Sequence, residues 1–411
     1  MRILHLADIH LDTSFQGRSS RIRGRLRQAT RDALRNGVDV ALDRGAHAVL
    51  IAGDLFDGDR LSFESERFLL GQLQRLTAEG VTVVYATGNH DPGSAPGTRR
   101  PVEWPNGVAV VADPTPTRIP VHGQDGEVVG WVTAAGHATA RETRDLAVAF
   151  PRPDGPLPEV ALLHTQVVGS RDAESHDPYA PAELDTLIGA GYDYWALGHV
   201  HARQSLSDLP GVHYAGNIQG RTPRERGAKG GLLVEVRRGF APQVEFLPLA
   251  PVRWEEVVLD DPIDVGSVDG LIRLAGDRWR SLRAGDPGVG AEWMVRVVIR
   301  GATPLWRELS DEEDRLHLGA ELEAVLQAME VQVEAEHLHA PVSVDEHRGR
   351  DDVLGAALDL LTKLRDGQVE LPGLAEELVG PPDARDLQDY LHRILEGGEG
   401  EVLSRLRSEQ E

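Results

Sequence analysis

The chain has 411 residues, 41% hydrophobic and 27% charged, and a net charge of −23 from 43 Lys and Arg against 66 Asp and Glu. That length exceeds one ordinary core, so two or three folded units are expected. The acidity argues against a protein that coats nucleic acid by bulk electrostatics, though not against a local basic groove, and the absence of cysteine excludes disulfides and thiolate metal sites. No apolar run is long enough to cross a bilayer, and Met1-Arg2-Ile3-Leu4 leads directly into a strand pattern rather than a signal peptide. The expectation is a cytoplasmic protein with no membrane partner.

Residues 2–7 alternate as a first strand. Asp8 and His10 follow two apart, a spacing that in extended chain aims both side chains to one side. A helical pattern from about 20 to 44 fits a crossover to a parallel strand at 48–52. That strand opens the stretch Val49-Leu50-Ile51-Ala52-Gly53-Asp54-Leu55-Phe56-Asp57, a short apolar run that breaks at glycine and presents a carboxylate. Open α/β sheets bind ligands just beyond strand carboxyl ends, where Asp54 falls. Phe68, Leu69, Leu73 and Leu76 recur at helical spacing, and Gly80 is a suitable stop. Residues 81–86 form a third strand that ends in Gly88-Asn89-His90-Asp91. This β-α-β-α-β pattern, polar at each strand end, reads as doubly wound α/β.

After a loop at 92–107, rich in Pro, Gly and Arg, short strands are expected at 108–112 and 128–133. An apolar run at 160–163 delivers His164, and another at 192–197 ends in Gly198-His199-Val200-His201. Strands at 212–215, 231–236 and 243–247 would close a first domain over residues 1–250. From there the grammar changes. A strand at 252–259, a helix at 265–283, the alternation Trp293-Val295-Val297-Ile299, a helix at 310–328 and a strand at 331–338 outline a small α+β domain over 251–345. Residues 346–411 read as helical segments separated by Gly-Pro breaks near 367–373 and 380–382, with Leu387, Tyr390, Leu391, Ile394 and Leu395 as one apolar stripe. No Walker-type loop occurs, which argues against ATP hydrolysis.

Five strand ends thus present metal-capable side chains: Asp8, His10, Asp54, Asn89, His164, His199 and His201. Two carboxylates, an amide oxygen and four imidazoles suit Mn²⁺, Fe²⁺ or Zn²⁺ better than Ca²⁺. Seven ligands exceed the needs of one ion but fit two that share a carboxylate, for which the central-strand Asp54 is the natural bridge. Two cations roughly 3.5–4 Å apart can hold a phosphate diester and activate water, so the acidity of the chain is no obstacle. His90 follows Asn89 directly and is expected to point toward substrate, where it could stabilise the transition state or protonate the leaving oxygen. Asp91 could orient it, as could Asp57 from the other side. Any one of these histidines alone reads as an ordinary core or surface side chain; the ordered set does not.

The set Asp8-Ile9-His10, Gly53-Asp54-Leu55-Phe56-Asp57, Gly88-Asn89-His90-Asp91, His164 and Gly198-His199-Val200-His201 resembles the calcineurin-like metallophosphoesterases. Within them, Leu6 to Asp12, Ala52 to Asp57 and Tyr194 to His201 are similar to the SbcD-type DNA repair exonucleases, including the YhaO-like branch. The resemblance covers about residues 1–235. It implies a β-sandwich flanked by helices, an α+β capping domain and C-terminal helices. It also implies one ion among Asp8, His10, Asp54 and His201 and a second among Asp54, Asn89, His164 and His199. Mn²⁺ is the ion it favours, with Fe²⁺, Zn²⁺ or Mg²⁺ as alternatives. His90 would contact the scissile phosphate. Many archaeal and eukaryotic relatives carry histidine where this chain has Asp57, so a second catalytic histidine is absent here.

The loop from Gly216 to Lys229 carries Arg221, Arg224, Arg226 and Lys229, which could contact DNA phosphates. The same charges equally suit a solvated loop that offsets nearby carboxylates. Arg99 and Arg100 give weaker support, and His176 and Tyr179 could reach the mouth of the site, although packing is the preferred reading. The expected function is a metal-dependent DNA exonuclease, with endonuclease activity on ends or hairpins as an extension. The alternatives are a phosphodiesterase on small nucleotides or other phosphoesters, and a non-catalytic scaffold of the same fold. Expected partners are DNA, as duplex ends or single strands, an SbcC-like ATPase docking on the C-terminal helices, and a second copy of the chain.

Overall fold

The computed structural model describes residues 1–57, 61–93, 102–171, 177–285, 288, 290–341, 347, 350–366, 368–369, 395, 398–400 and 402. Arg99, Arg100, His176 and most of the 387–395 stripe lie outside them. The chain divides into two units: residues 1–254 with 290–292, and residues 255–289 with 293–411.

The first unit opens with β1 (Arg2–Leu6), α1 (Ser20–Asp43), β2 (Ala48–Ala52), α2 (Phe63–Ala78), β3 (Thr82–Ala86) and β4 (Val108–Val111). Then come β5 (Thr117–His122), β6 (Val128–Ala135), β7 (Glu159–His164), α3 (Leu184–Gly189), β8 (Tyr194–Gly198), β9 (Gln204–Asp208), β10 (Gly211–Tyr214), β11 (Gly230–Glu235) and β12 (Gln243–Pro248). Two six-stranded sheets result, ordered β12-β11-β1-β2-β3-β4 and β5-β6-β7-β8-β10-β9. In the first, β1 to β4 run parallel, joined by the expected crossovers; in the second, β6, β7, β8 and β10 do.

The sheets pack face to face through Ile3, Leu50, Val84, Val132, Leu162 and Ala196, all fully buried. This apolar middle explains why β2 and β7 read as continuous hydrophobic runs: strands covered on both faces have no polar side. The outer face of the first sheet carries α1, whose Ile22, Leu26, Ala33, Leu34, Val38 and Ala41 form the buried stripe. Ser19 and Ser62 cap α1 and α2 by accepting the N–H groups of Ile22 and Ser65. Truncating Leu50 in this packed middle would cost about 2–5 kcal/mol. The geometry that matters is simple: β1, β2, β3, β7 and β8 all release their carboxyl ends at one edge of the sandwich.

β5 and β9 were not expected from the sequence. Pro120 interrupts the hydrogen-bonding pattern of β5, which is tolerated because β5 is an edge strand, and the polar Gln204–Asp208 is the opposite edge.

A third sheet has the order β13-β14-β15, from β13 (Val252–Asp260), β14 (Glu292–Ala302) and β15 (Glu330–His339). The second unit adds α4 (Val268–Gly285), α5 (Trp306–Ser310), α6 (Glu312–Leu326) and α7 (Val353–Arg365). Asp311 caps α6 by accepting the N–H groups of Glu313 and Asp314. β14 and β15 are parallel, with α5 and α6 between them in the chain, so this unit is a small sheet with helical crossovers, mixing helices and strands as its sequence suggested. Among the described residues no helix is long and apolar enough to cross a membrane.

Candidate metal centre

The strand ends reach the site by sharp turns rather than by running on extended. Asp8, His10, Asp54 and His199 have φ values of +48°, +49°, +50° and +102°. The expected extended Asp8-x-His10 segment is therefore corrected. Both side chains converge because the backbone is left-handed at both positions, a conformation that Asp and His adopt far more readily than branched residues. The turns are held by bonds between loops: Asp8 N–H to Gly53 O at 3.2 Å, His10 N–H to Asp54 O at 2.9 Å and Leu11 N–H to Leu55 O at 3.0 Å. The motif glycines are required by close approach. A Cβ at Gly198 would overlap the Ala52 carbonyl, and one at Gly88 would overlap the Asp54 carboxylate.

Asp54 Oδ2 lies 3.7 Å from His10 Nε2 on one side and 3.5 Å from His164 Nε2 on the other. His10 Nε2 is also 3.3 Å from His201 Nε2, and Asp8 Oδ1 is 3.8 Å from the same nitrogen. Asn89 Oδ1 lies 2.9 Å from His164 Nε2 and 3.2 Å from His199 Nδ1. All seven sequence-picked ligands therefore meet in one place, with Asp54 between two clusters. Among the described residues, spacing alone admits three ion-holding groups: Asp8–His10–His201, Asp8–Asp54–His164 and His10–Asp57–His90.

Tautomers show what the cluster requires. His164 Nδ1–H donates to Ala52 O at 2.9 Å, His201 Nδ1–H to Glu225 Oε1 at 2.7 Å, and His199 Nε2–H to Asp177 O at 3.0 Å. Each remaining ring nitrogen then carries a lone pair. The lone pairs of His164 Nε2 and His199 Nδ1 face Asn89 Oδ1, a repulsive arrangement that a cation between them resolves. Electrostatics agree. Asp8 and Asp54 are 0% and 2% exposed, and burial, reinforced at Asp8 by Asp54, pushes both carboxyls up. His10 and His164 are held neutral by burial, so they cannot balance the carboxylates. Buried carboxylates without a cationic partner are costly, and the donor set fits divalent ions of the Mn²⁺, Fe²⁺ and Zn²⁺ type.

His90 is the exposed member, its side chain 41% accessible on the cavity wall. Its backbone N–H donates to Asp54 Oδ1 at 2.9 Å, and its Nδ1 bonds to Asp57 Oδ1 at 2.8 Å. That bond raises the imidazole above its ordinary value. Burial alone would push Asp57 up, but the His90 hydrogen bond and Arg221 hold its carboxyl below the usual range. Because His90 and Asp57 already satisfy each other, their group with His10 is the weakest of the three as an ion site. Asp91 does not touch the His90 ring. Its carboxylate accepts the N–H groups of Gly88 at 2.6 Å, Asp54 at 3.3 Å and Leu55 at 2.5 Å. The expectation that Asp91 orients His90 is corrected: it fixes the turn that presents Asp54.

The site opens into a cavity of about 730 Å³ lined also by Tyr179, Arg203, Phe246, Arg221, Arg224, Arg226 and Lys229. Of the four cations picked from the loop, Arg221 is turned inward, Nη1 to Asp57 Oδ2 at 3.4 Å, and Lys229 Nζ donates to His201 O at 3.1 Å. Tyr179 sits on this wall, its ring packed edge-on to His199 with centroids 5.9 Å apart, rather than in the core.

Two residues escaped the sequence reading. Glu225 holds His201. His137, fully buried, donates Nε2–H to His164 O at 2.8 Å and packs edge-on to that ring at 5.3 Å. Gly136-His137 after the apolar run at 128–135 repeats the strand-end pattern and could have been found by it.

Residues 1–203 match the calcineurin-like phosphoesterase family. The chain is 33% identical over 311 residues to the uncharacterized metallophosphoesterase YhaO of Bacillus subtilis, covering 74% of this chain and 73% of that protein. It is 25% identical over 359 residues to the DNA double-strand break repair protein Mre11 of Methanopyrus kandleri, covering 79% and 74%. With the SbcD component of the SbcCD nuclease of Rhodobacter capsulatus it shares 28% over 298 residues, covering 60% and 69%. The chain belongs to the calcineurin-like metallophosphoesterases, hydrolases of phosphoester bonds that depend on two metal ions.

Proposed function

We propose that this chain is a Mn²⁺-dependent DNA nuclease, an exonuclease that trims strand ends by hydrolysing phosphodiester bonds. One observation carries the reading. A two-sided ligand cluster sharing Asp54 stands beside an accessible, carboxylate-backed His90 in a cavity walled by arginines. Asp8, His10, Asp54 and His201 would hold one ion, and Asp54, Asn89, His164 and His199 the other. Bound there, two divalent cations supply Lewis acidity toward phosphoryl oxygens and a water nucleophile at neutral pH.

The protein's own groups do the rest. Asp57 fixes the His90 tautomer with Nδ1 protonated and steadies the ring when it is cationic, and the cationic ring's Nε2–H would give a proton to the leaving oxygen. Arg224 and Arg226 on the cavity wall suit phosphates flanking the cleaved bond. The relatives named for DNA break repair and for nuclease activity support DNA as substrate.

A cavity of about 730 Å³ is also of small-ligand size, which favours a second reading, a phosphodiesterase on small nucleotides. Turnover of end-labelled linear duplex with Mn²⁺, compared with that of a chromogenic phosphodiester, separates the two. A DNA enzyme prefers the duplex by orders of magnitude in kcat/KM; equal or reversed preference removes the nuclease reading.

A further inference from the structure

Glu225 sits in the arginine-rich loop, 24 residues from the histidine that it holds. Its side chain is only 12% exposed, and both oxygens are engaged. Oε1 accepts His201 Nδ1–H at 2.7 Å; Oε2 accepts the backbone N–H groups of Arg221 at 2.5 Å and Thr222 at 3.3 Å. The turn so formed sends the Arg221 side chain, 16% exposed, to Asp57 Oδ2 at 3.4 Å, and Asp57 Oδ1 in turn holds His90 Nδ1 at 2.8 Å. A continuous path therefore runs His201–Glu225–Arg221–Asp57–His90, joining a candidate ligand histidine to the accessible histidine; both rings pack edge-on against His10, at centroid distances of 5.2 and 4.9 Å.

We propose that Glu225 is a positioning residue: its carboxylate orients His201 for an ion and, by folding the Arg221 turn, keeps Asp57 and His90 in register with that ion. The arginine loop is then part of the metal centre rather than a detachable surface for DNA. This inference rests on the dinuclear reading above.

The chemistry of the position is restrictive. All three incoming groups are donors, so the partner must be an acceptor at both ends. A glutamine oxygen could serve His201, but its amide would then face the N–H groups of Arg221 and Thr222, donor against donor. Aspartate keeps the charge but is one methylene shorter and cannot reach the ring and the turn together. With alanine, the His201 ring loses both its tautomer and its orientation. Outer carboxylates that hold ligating histidines typically matter by about 10–100-fold in metal affinity.

The test is a titration of the metal-stripped full-length chain with Mn²⁺ alone, counting free ion by electron paramagnetic resonance. Wild type, Glu225→Ala and Glu225→Gln are compared, each with a thermal melt of the metal-free form. The wild type is expected to take two ions. Both variants are expected to keep one at wild-type affinity and to bind the other about 10–100-fold more weakly, with metal-free melting close to wild type. If Glu225→Ala does not fold, the isosteric Glu225→Gln carries the comparison. Two ions at unchanged affinity in the variants, or equal weakening of both ions, overturn the inference while leaving the dinuclear reading in place. Fewer than two ions in the wild type overturn that reading and this inference with it.

Discussion

The two units place their charged groups in opposite ways. In the first, Asp8, His10, Asp54, Asp91, His137, His164 and Asn217 are all buried at or beside the cluster. Among the described residues of the second, Thr303 is the sole buried polar side chain. Charges there lie in surface pairs, Arg300 with Asp260 and Lys363 with Asp359, or half-buried, where Arg296 joins Glu256 and Glu334. Exposed pairs of this kind contribute at most about 1 kcal/mol each. Burying an ionisable group costs several kcal/mol unless a partner compensates. The first unit also buries Glu159 and Asp193, but each has an arginine partner, Arg118 and Arg238; the edge where Asp54 is buried between His10 and His164, which burial keeps neutral, is marked as the place of its chemistry.

Mutations break this contrast in a graded way. Asp54→Ala removes the oxygen shared by both clusters. Elemental analysis should find both ions depleted, and phosphodiester hydrolysis should fall by roughly 10³-fold or more. His90→Ala should keep the metal content of the wild type and lose about 10²–10⁴-fold in kcat; equal metal loss in the two variants contradicts a separate role for His90. Asp91→Ala orphans three backbone N–H groups at the Asp54 turn and should destabilise the first unit by roughly 3 kcal/mol, read by urea unfolding. Arg300→Ala in the second unit should change stability by less than about 1 kcal/mol and leave metal content and turnover unchanged. A large effect there would erase the distinction between the units.

What the sequence disclosed follows the same division. The convergence of the seven candidate ligands was legible because each follows an apolar run at a strand end, so their order along the chain already placed them at one edge. Asp57 was legible as a partner for His90 from its place in the Gly-Asp-x-x-Asp spacing. Asp91 was misassigned because adjacency to His90 suggested a side-chain contact, whereas the turn directs its carboxylate to three backbone donors. Glu225 stayed hidden between Arg224 and Arg226, where an isolated carboxylate looks like ordinary charge balance and its partner is remote in sequence. The left-handed backbone at Asp8, His10, Asp54 and His199 has no signature in residue type, because Asp and His are common in many other conformations. In the second unit the alternation at Trp293–Ile299 was enough to find a strand, but no buried polar cluster existed among its described residues to be read.

The central claim is that Asp54 is shared by two ions. An anomalous difference map from crystals grown with Mn²⁺ tests it directly. Two peaks roughly 3.5–4 Å apart, both in contact with Asp54, one beside His10 and His201 and the other beside Asn89, His164 and His199, are the expected result. A single peak, or density confined to His10, Asp57 and His90, would contradict it.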